Sequence, residues 1–370
     1  MSIKKTIRAA YLSFPRNLQQ LESFRFRCKG CEGDYHKGKK RATSLSNIQK
    51  EIIKRFWEPY LHDWKTKYAF DMKWFEIYNT TNVFGFKIEH YIPDSFYYSI
   101  VDKSLSNAID AKVFDDKNLY DLYFHDVKQP KTIVRKIRGV YMDRLYHIIS
   151  KDAAIEKCIE NKSVIIKPSI DALAGHGIVF WKGNQDSKDV LEKGLESGEN
   201  LIVQDIIRQY EFMNKFTMSC VNTMRIVTLL WENDVIITTA VLIMGGPTAK
   251  TNHLHGGGIV CGILPDGSLR DTAFDGQLNA YKEHPNGMKF SEITIPNYDK
   301  CVALVKELSP RLAGISKFLN WDITLDEFGD PLLIEVNITE GGSVQIAGGP
   351  AFGEKTKEVL DYVTKHGVWK

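Results

Sequence analysis

Trp321-Asp322-Ile323-Thr324-Leu325-Asp326-Glu327-Phe328-Gly329-Asp330-Pro331-Leu332-Leu333-Ile334-Glu335-Val336-Asn337 is the stretch on which the reading of this chain turns. A polar turn around Gly329-Asp330-Pro331 separates two apolar runs, the pattern of a two-stranded β-hairpin. Side chains alternate faces along a strand, so Glu335 and Asn337 point the same way, with Leu333 on their face and Ile334 and Val336 opposite. Asp322 lies on the neighbouring strand, so three oxygen ligands converge. A hard cation such as Mg²⁺ takes such a set together with nucleotide phosphates. The competing reading puts the carboxylate on a solvated sheet face. The run Leu332-Leu333-Ile334 argues against it, because a buried apolar strand carries Glu and Asn only beside a partner that offsets their desolvation.

At 370 residues the chain has room for two or three structural units, and 43% hydrophobic content is enough to bury a sizeable core. A formal net charge of +3 implies neither a basic field sized for nucleic acid nor an acidic tail. Basic residues do crowd the first 60 positions (Arg25, Arg27, Lys29, Lys37, Lys39, Lys40, Arg41), a run that reads as solvated surface. No apolar run of about 18 residues exists, and Met1-Ser2-Ile3-Lys4-Lys5 is not followed by an apolar signal core. The expectation is a soluble cytoplasmic protein with no membrane span and no nucleic-acid partner. Cysteines at 28, 31, 158, 220, 261 and 301 are too dispersed for a disulfide framework. Cys28 and Cys31 with His36 supply three of the four ligands that structural zinc needs, so the pair is read as free thiols in a loop.

Ile48, Ile52, Ile53, Phe56, Trp57 and Leu61 fit one face of an amphipathic helix within 45–66, with Ser46 as its N-cap. The aromatic-rich stretch 68–98 reads as core. From 113 a short helical pattern follows acidic residues, and Pro130 leads into a β-branched strand at Ile133-Val134. A compact alternation comes next: helix 151–160, strand 163–168, a glycine loop, strand 177–181, helix 187–197 and strand 200–204. The remainder is strand-rich and closes with a helix from Gly353 to Val363, with no internal repeat or low-complexity linker.

Lys167 ends an apolar strand and leads through Pro168 into Ser169-Ile170-Asp171-Ala172-Leu173-Ala174-Gly175-His176-Gly177. A strand-end ammonium beside glycines whose backbone N–H groups can approach oxygens is a way to hold phosphates. Gly-Lys-Ser/Thr is missing, so this is no Walker loop, and a lone strand-end lysine ordinarily snorkels to solvent. Val203-Gln204-Asp205-Ile206-Ile207, an apolar strand ending in polar residues, suits an adenine edge. Arg225, inside Asn222-Thr223-Met224-Arg225-Ile226-Val227-Thr228, is either exposed on an alternating face or paired with an anion such as a transferring phosphoryl group.

The order of these motifs resembles the ATP-grasp superfamily, and more closely its sugar-transfer-associated branch of carboxylate–amine ligase-like proteins. The resemblance runs over roughly residues 110–350. It rests on Asp116-Lys117-Asn118, Ile166-Lys167-Pro168 with Gly175-His176-Gly177, Val203-Gln204-Asp205, Thr223-Met224-Arg225, and Asp322 with Glu335-Val336-Asn337. The last set is the most specific, since D-alanine ligases and glutathione synthetases carry a similar aspartate followed by Glu-x-Asn. The resemblance implies an α+β, ATP-grasp fold of two α+β subdomains gripping ATP, preceded by a mostly helical N-terminal region of unassigned role over 1–110. The ATP-grasp domain would span 111–370, with 135–203 as the lid and 204–370 as the metal-binding subdomain.

Residue by residue, the resemblance implies that Lys117 and Lys167 contact nucleotide phosphates, together with the loop of Gly175, His176 and Gly177. Gln204, with Asp205, Ile206 and Ile207, would meet the adenine. Arg225 would meet the transferring phosphate and share the catalytic role with Lys167. Asp322, Glu335 and Asn337 would hold Mg²⁺, or Mn²⁺ in its place, with Glu335 bridging two ions. Gln204-Asp205 departs from the hinge glutamate of many relatives, which leaves the side-chain contact to adenine open. Asn252 and Gly256-Gly257-Gly258 resemble a branch-specific loop without a derivable role.

Small-molecule substrates are expected to face Asn252, His253 and His255 and the run Glu340-Gly341-Gly342-Ser343 just past the metal strand, although a histidine among glycines is more often a turn residue. The function expected is an ATP- and Mg²⁺-dependent carboxylate–amine ligase acting through an acyl phosphate and giving ADP and phosphate, in glycan-precursor or small-peptide synthesis. The alternatives are a kinase on the same scaffold, which phosphorylates a hydroxyl and stops, and a nucleotide-binding module without turnover, against which the intact Asp322, Glu335, Asn337 set argues.

Overall fold

The structure is a computed structural model, and it describes residues 16–31, 38–107, 111–170, 177–246, 257–338 and 344–367. The chain divides into two units, Met1–Leu105 with Glu340–Lys370, and Ser106–Thr339. The sequence reading had put a boundary at 110 and carried the second domain through to 370. Helices and antiparallel sheets together give the α+β class expected.

The first unit is helical, and its centre is aromatic. Ser46 begins the helix Asn47–Trp57 as expected, accepting from the Gln49 amide while the Gln49 side chain accepts from the Ser46 amide, a complete capping box. The apolar face is narrower than its sequence suggested: Ile53 and Trp57 are buried, but Ile48 and Ile52 stand 75% and 42% exposed. At 3.6 residues per turn Ile48 and Ile52 lie about 100° or more round the helix from Ile53 and Trp57, so burying the second pair leaves the first outside. The helix itself stops at Trp57, passes through a 3₁₀ turn at Glu58–Tyr60, and a new helix begins at Trp64 under an Asp63 cap. Trp57 packs edge-on against Phe96 with ring centroids 5.0 Å apart, and Tyr78 stacks on Tyr91 at 4.8 Å. Gln345, wholly buried, accepts from the Ile92 amide and donates to the Ile92 carbonyl, so the returning C-terminal segment satisfies backbone groups in this unit. The closing helix runs Thr356–His366.

The second unit holds two antiparallel sheets among its described residues. The first is built from β1 (Thr132–Ile137), β2 (Val140–Asp143), β3 (Ser163–Pro168), β4 (Val179–Lys182) and β5 (Leu201–Asp205) in the order β2-β1-β5-β3-β4. Helices Lys151–Glu160 and Lys188–Glu196 cover one face, and Val134, Ala154, Cys158, Val164, Ile166, Leu191 and Leu195 fill the space between. Gly194 permits the close approach, since a Cβ there would lie 2.7 Å from the Ile166 methyl.

The second sheet contains β6 (Thr223–Trp231), β7 (Asp234–Met244), β8 (Ile259–Ile263), β9 (Leu269–Asp275), β10 (Ala280–Tyr281), β11 (Phe318–Leu325) and β12 (Pro331–Asn337), ordered β10-β9-β8-β7-β6-β11-β12. The hairpin read from the sequence is β11–β12, with Gly329 at φ 83° in its turn. One detail differs. Asp322 pairs with Glu335 while Ile323 pairs with Leu333, so Ile334 is an extra residue, a β-bulge. The strict alternation that placed Leu333 on the face of Glu335 is broken there, and Leu333 is fully buried in the same core cluster as Val336.

Candidate functional site

Asp322 owes its place to the alternation of β11. Leu319, Trp321, Ile323 and Leu325 enter the core, which leaves Asn320, Asp322 and Thr324 on the other face. Register sets Asp322 opposite Glu335 on one side and opposite Arg225 of β6 on the other. Arg225 donates from Nε and Nη2 to the two oxygens of Asp322, both at 2.8 Å, the bidentate fork that fixes a carboxylate in one plane. Arg225 is thus not exposed on an alternating face, and the anion it pairs with here is the Asp322 carboxylate of its own chain. Asn337 adds a donation from Nδ2 to Asp322 Oδ2 at 3.3 Å.

Glu335 is reached from the other sheet. Lys117 Nζ lies 2.9 Å from its Oε2. Lys117 stands on a 3₁₀ turn, Lys117–Leu119, which Asp116 caps by accepting from the Asn118 amide at 3.0 Å. The Lys117 amide donates to the Ser169 carbonyl at 2.9 Å, and Asn118, wholly buried, donates from Nδ2 to the Leu201 carbonyl at 3.2 Å. The turn is thereby fastened to the five-stranded sheet beside the end of β3, where Lys167 stands.

The charges feel one another. Burial pushes the Lys167 ammonium down to about 8, the like charge of Lys117 pushes it the same way, and Glu335 opposes both. Burial works against ionisation of Glu335, but Lys117, then Lys167 and Arg225, outweigh it and hold the carboxyl below the usual carboxylate range. Three cations therefore surround two carboxylates on facing strands. Such a site suits a polyanion brought with a divalent cation, since phosphoryl transfer needs neutralisation and alignment more than covalent help.

No group of three His, Cys, Asp or Glu side chains that could hold a metal occurs among the described residues. The set that converges is two carboxylates and an amide, Asp322, Glu335 and Asn337. Its donors toward a metal are all oxygens, as a hard cation requires, and the negative charge there is now balanced by Arg225 and Lys117. The residues fit Mg²⁺.

Gln204 is buried on β5, donating from Nε2 to the Pro130 carbonyl at 3.2 Å, while its Oε1 meets no donor among the described residues. An adenine amino group is the kind of donor such an oxygen accepts. Asp205 turns to its own chain: Oδ1 accepts from the Ile206 amide at 3.0 Å and from Asn161 at 3.3 Å. Ile206 and Ile207 follow as half-buried residues just beyond the strand. Gly177 has φ 76°, and a Cβ there would press on the Pro168 ring at 3.0 Å. Gly175, His176, Asn252, His253, His255, Glu340, Gly341, Gly342 and Ser343 lie outside the described residues.

Sequence reasoning passed over Asn320 and Arg135. Asn320 is fully buried on the site face, across from Asn337, and its signal was its position two residues before Asp322. Arg135, also fully buried, sits in the β-branched run of β1, where a charge in an apolar strand asks for a partner.

The profile of the family described as sugar-transfer associated ATP-grasp matches residues 101–361. Among curated proteins none matches. Solved structures similar to this chain include D-alanyl-alanine synthetase A from Vibrio cholerae, at 13% identity over 69% of this chain and 66% of that one, just under two thirds, with a TM-score of 0.42. D-alanine–D-alanine ligase from Bacillus anthracis is 13% identical over 70% of this chain and 69% of that one, with a TM-score of 0.41. An L-amino acid ligase from Bacillus licheniformis is 14% identical over 68% of this chain and 48% of that one, with a TM-score of 0.39.

Proposed function

The chain belongs to the sugar-transfer associated ATP-grasp family, and from that premise we propose that it is an ATP- and Mg²⁺-dependent ligase joining a small-molecule carboxylate to an amine. One observation carries the reading: Asp322 and Glu335 face each other across a strand pair while Arg225, Lys117 and Lys167 gather around them from both sheets. A carboxylate is a poor electrophile, and ATP supplies the phosphoryl group that makes it an acyl phosphate open to an amine, with ADP and phosphate as by-products. The settings this suggests are glycan-precursor or small-peptide synthesis.

Each residue has a part in this scheme. Asp322, Glu335 and Asn337 would hold the divalent cation, whose charge would lower the repulsion between phosphate oxygens and the incoming group. Lys117 and Lys167 bind phosphate oxygens, and Arg225 balances charge on the group in transfer. Gln204 Oε1 accepts from the adenine edge. The five-stranded sheet serves as the cover that keeps water from the activated carboxyl.

The test is a phosphate-release screen of carboxylate and amine pairs with purified protein, ATP and Mg²⁺. The ligase reading expects phosphate release that requires both acid and amine. A stable phosphorylated product with no free phosphate would replace the ligase with a kinase. Absence of binding to a non-hydrolysable ATP analogue, with or without Mg²⁺, would remove both.

A further inference from the structure

The five-stranded sheet reaches the turn of Lys117 through a second set of contacts, away from the carboxylates. Arg135 of β1 is wholly buried and donates from Nη1 to the carbonyl of Asn118 at 2.5 Å. Its Nη2 pairs with the Asp121 carboxylate and donates to the Arg144 carbonyl at 3.3 Å. Tyr146, from the loop after β2, lays its ring under the guanidinium with 4.2 Å between the guanidinium carbon and the ring centroid. Its hydroxyl lies 2.6 Å from the same Asn118 carbonyl and 2.8 Å from Asp121 Oδ1 and shares its one proton between these two acceptors. Two donors thus meet on one carbonyl, one residue from Lys117.

Two features mark this as more than ordinary packing. Tyr146 has φ 66°, a left-handed backbone that costs an aromatic residue on the order of 1 kcal/mol and persists where the surroundings impose it. Burial, followed by the bond to Asp121, raises the Tyr146 phenol above its ordinary range, so it stays a protonated donor at every working pH. With the Lys117 amide on Ser169 and the Asn118 side chain on Leu201, the turn is held by β1, β5, the residue after β3 and the loop after β2 together. The backbones of Lys117 and Lys167 are therefore tied to the same sheet.

We propose that Arg135, Tyr146 and Asp121 are positioning residues that aim the Lys117 ammonium, so that Lys117 and Lys167 grip nucleotide phosphate as a fixed pair. This rests on the phosphate role given to Lys117 above. The variant of choice is Tyr146→Phe, which keeps the ring under the guanidinium and removes one hydroxyl; Arg135→Met risks the fold. Affinity of the full-length protein is measured by calorimetry for a non-hydrolysable ATP analogue with Mg²⁺ and for adenosine, in wild type, Tyr146→Phe, Lys117→Met and the double variant.

Tyr146→Phe is expected to weaken the ATP analogue about fivefold, the worth of one hydrogen bond, and to leave adenosine unchanged. In the Lys117→Met background the same substitution is expected to do nothing further, the non-additivity of residues acting through one group. Equal weakening of adenosine and the analogue, or an undiminished effect without Lys117, would make the contacts merely structural and overturn the proposal. An effective Lys117→Met beside an inert Tyr146→Phe would overturn the positioning alone. Unchanged affinity in Lys117→Met would overturn the phosphate role itself, and the positioning with it.

Discussion

The two sheets of the second unit split the charge of the site between them. The seven-stranded sheet supplies both carboxylates, Asp322 and Glu335, and holds the first with its own Arg225 one strand away. The five-stranded sheet supplies cations: Lys167 from the end of β3 and Lys117 from the turn fastened beside it. The Arg225–Asp322 fork is internal to one sheet and forms as that sheet forms. The Lys117–Glu335 pair joins the two sheets and exists only when they meet. On the proposed function, anchoring is therefore a property of the seven-stranded sheet, and gripping a property of the five-stranded one.

The sharpest break of that division is Asp322→Asn. It removes a proposed metal ligand and half the charge of the fork that orients Arg225, so on that proposal Mg²⁺-dependent turnover is expected to fall at least about a hundredfold. Folding should persist, because the amide still fills the place of the carboxylate and can accept from Arg225. Steady-state phosphate release as a function of Mg²⁺, with thermal unfolding as the control, measures both. Wild-type turnover in this variant would remove Asp322 from the metal site and leave it a support for Arg225.

Lys167→Met tests the gripping side with a smaller effect. On the phosphate role proposed for Lys167, loss of this half-buried cation is expected to weaken a non-hydrolysable ATP analogue on the order of tenfold, within the range of a charge-assisted hydrogen bond. Calorimetric titration checks it. An unchanged dissociation constant would mean that the strand-end lysine serves the protein and not the nucleotide, and the division between the sheets would rest on Lys117 alone.

How far the sequence could be read follows from how far its signals were local. The 3.6- and two-residue periods fixed the helix Lys151–Glu160 and strand β3 to within a residue of where they lie. Glu335 and Asn337 stood out because an apolar strand has no other use for them. Locality failed where geometry comes from a partner. The bulge at Ile334, which returns Leu333 to the core, depends on pairing with β11, and no pattern within β12 announces it. The exposure of Ile48 and Ile52 depends on which side of the helix its neighbours cover, and they cover the side of Ile53 and Trp57. Arg135 drew no reading from the sequence, because its partners Asp121 and Tyr146 come from two other segments. Gln204 was legible as a polar end to an apolar strand, whereas the turning of Asp205 back onto Asn161 was not.

The smallest effect that separates the two sheets is a pH dependence. Because burial and Lys117 bring the Lys167 ammonium down to about 8, it is mostly charged at pH 7 and mostly neutral at pH 9 in the ligand-free protein. Phosphate favours the charged form, so binding takes up protons near pH 8, and affinity for the ATP analogue should fall several-fold, up to about tenfold, from pH 7 to pH 9. Stability of the ligand-free protein should move the other way. Unfolded, the same lysine keeps its proton up to about 10.4, so between these values the unfolded chain binds more protons and unfolding becomes harder as pH rises. Calorimetry in buffers of different ionisation enthalpy measures the proton uptake, and Lys167→Met should abolish it. Uptake that survives the substitution would assign it to another group and detach the titration from the gripping side of the site.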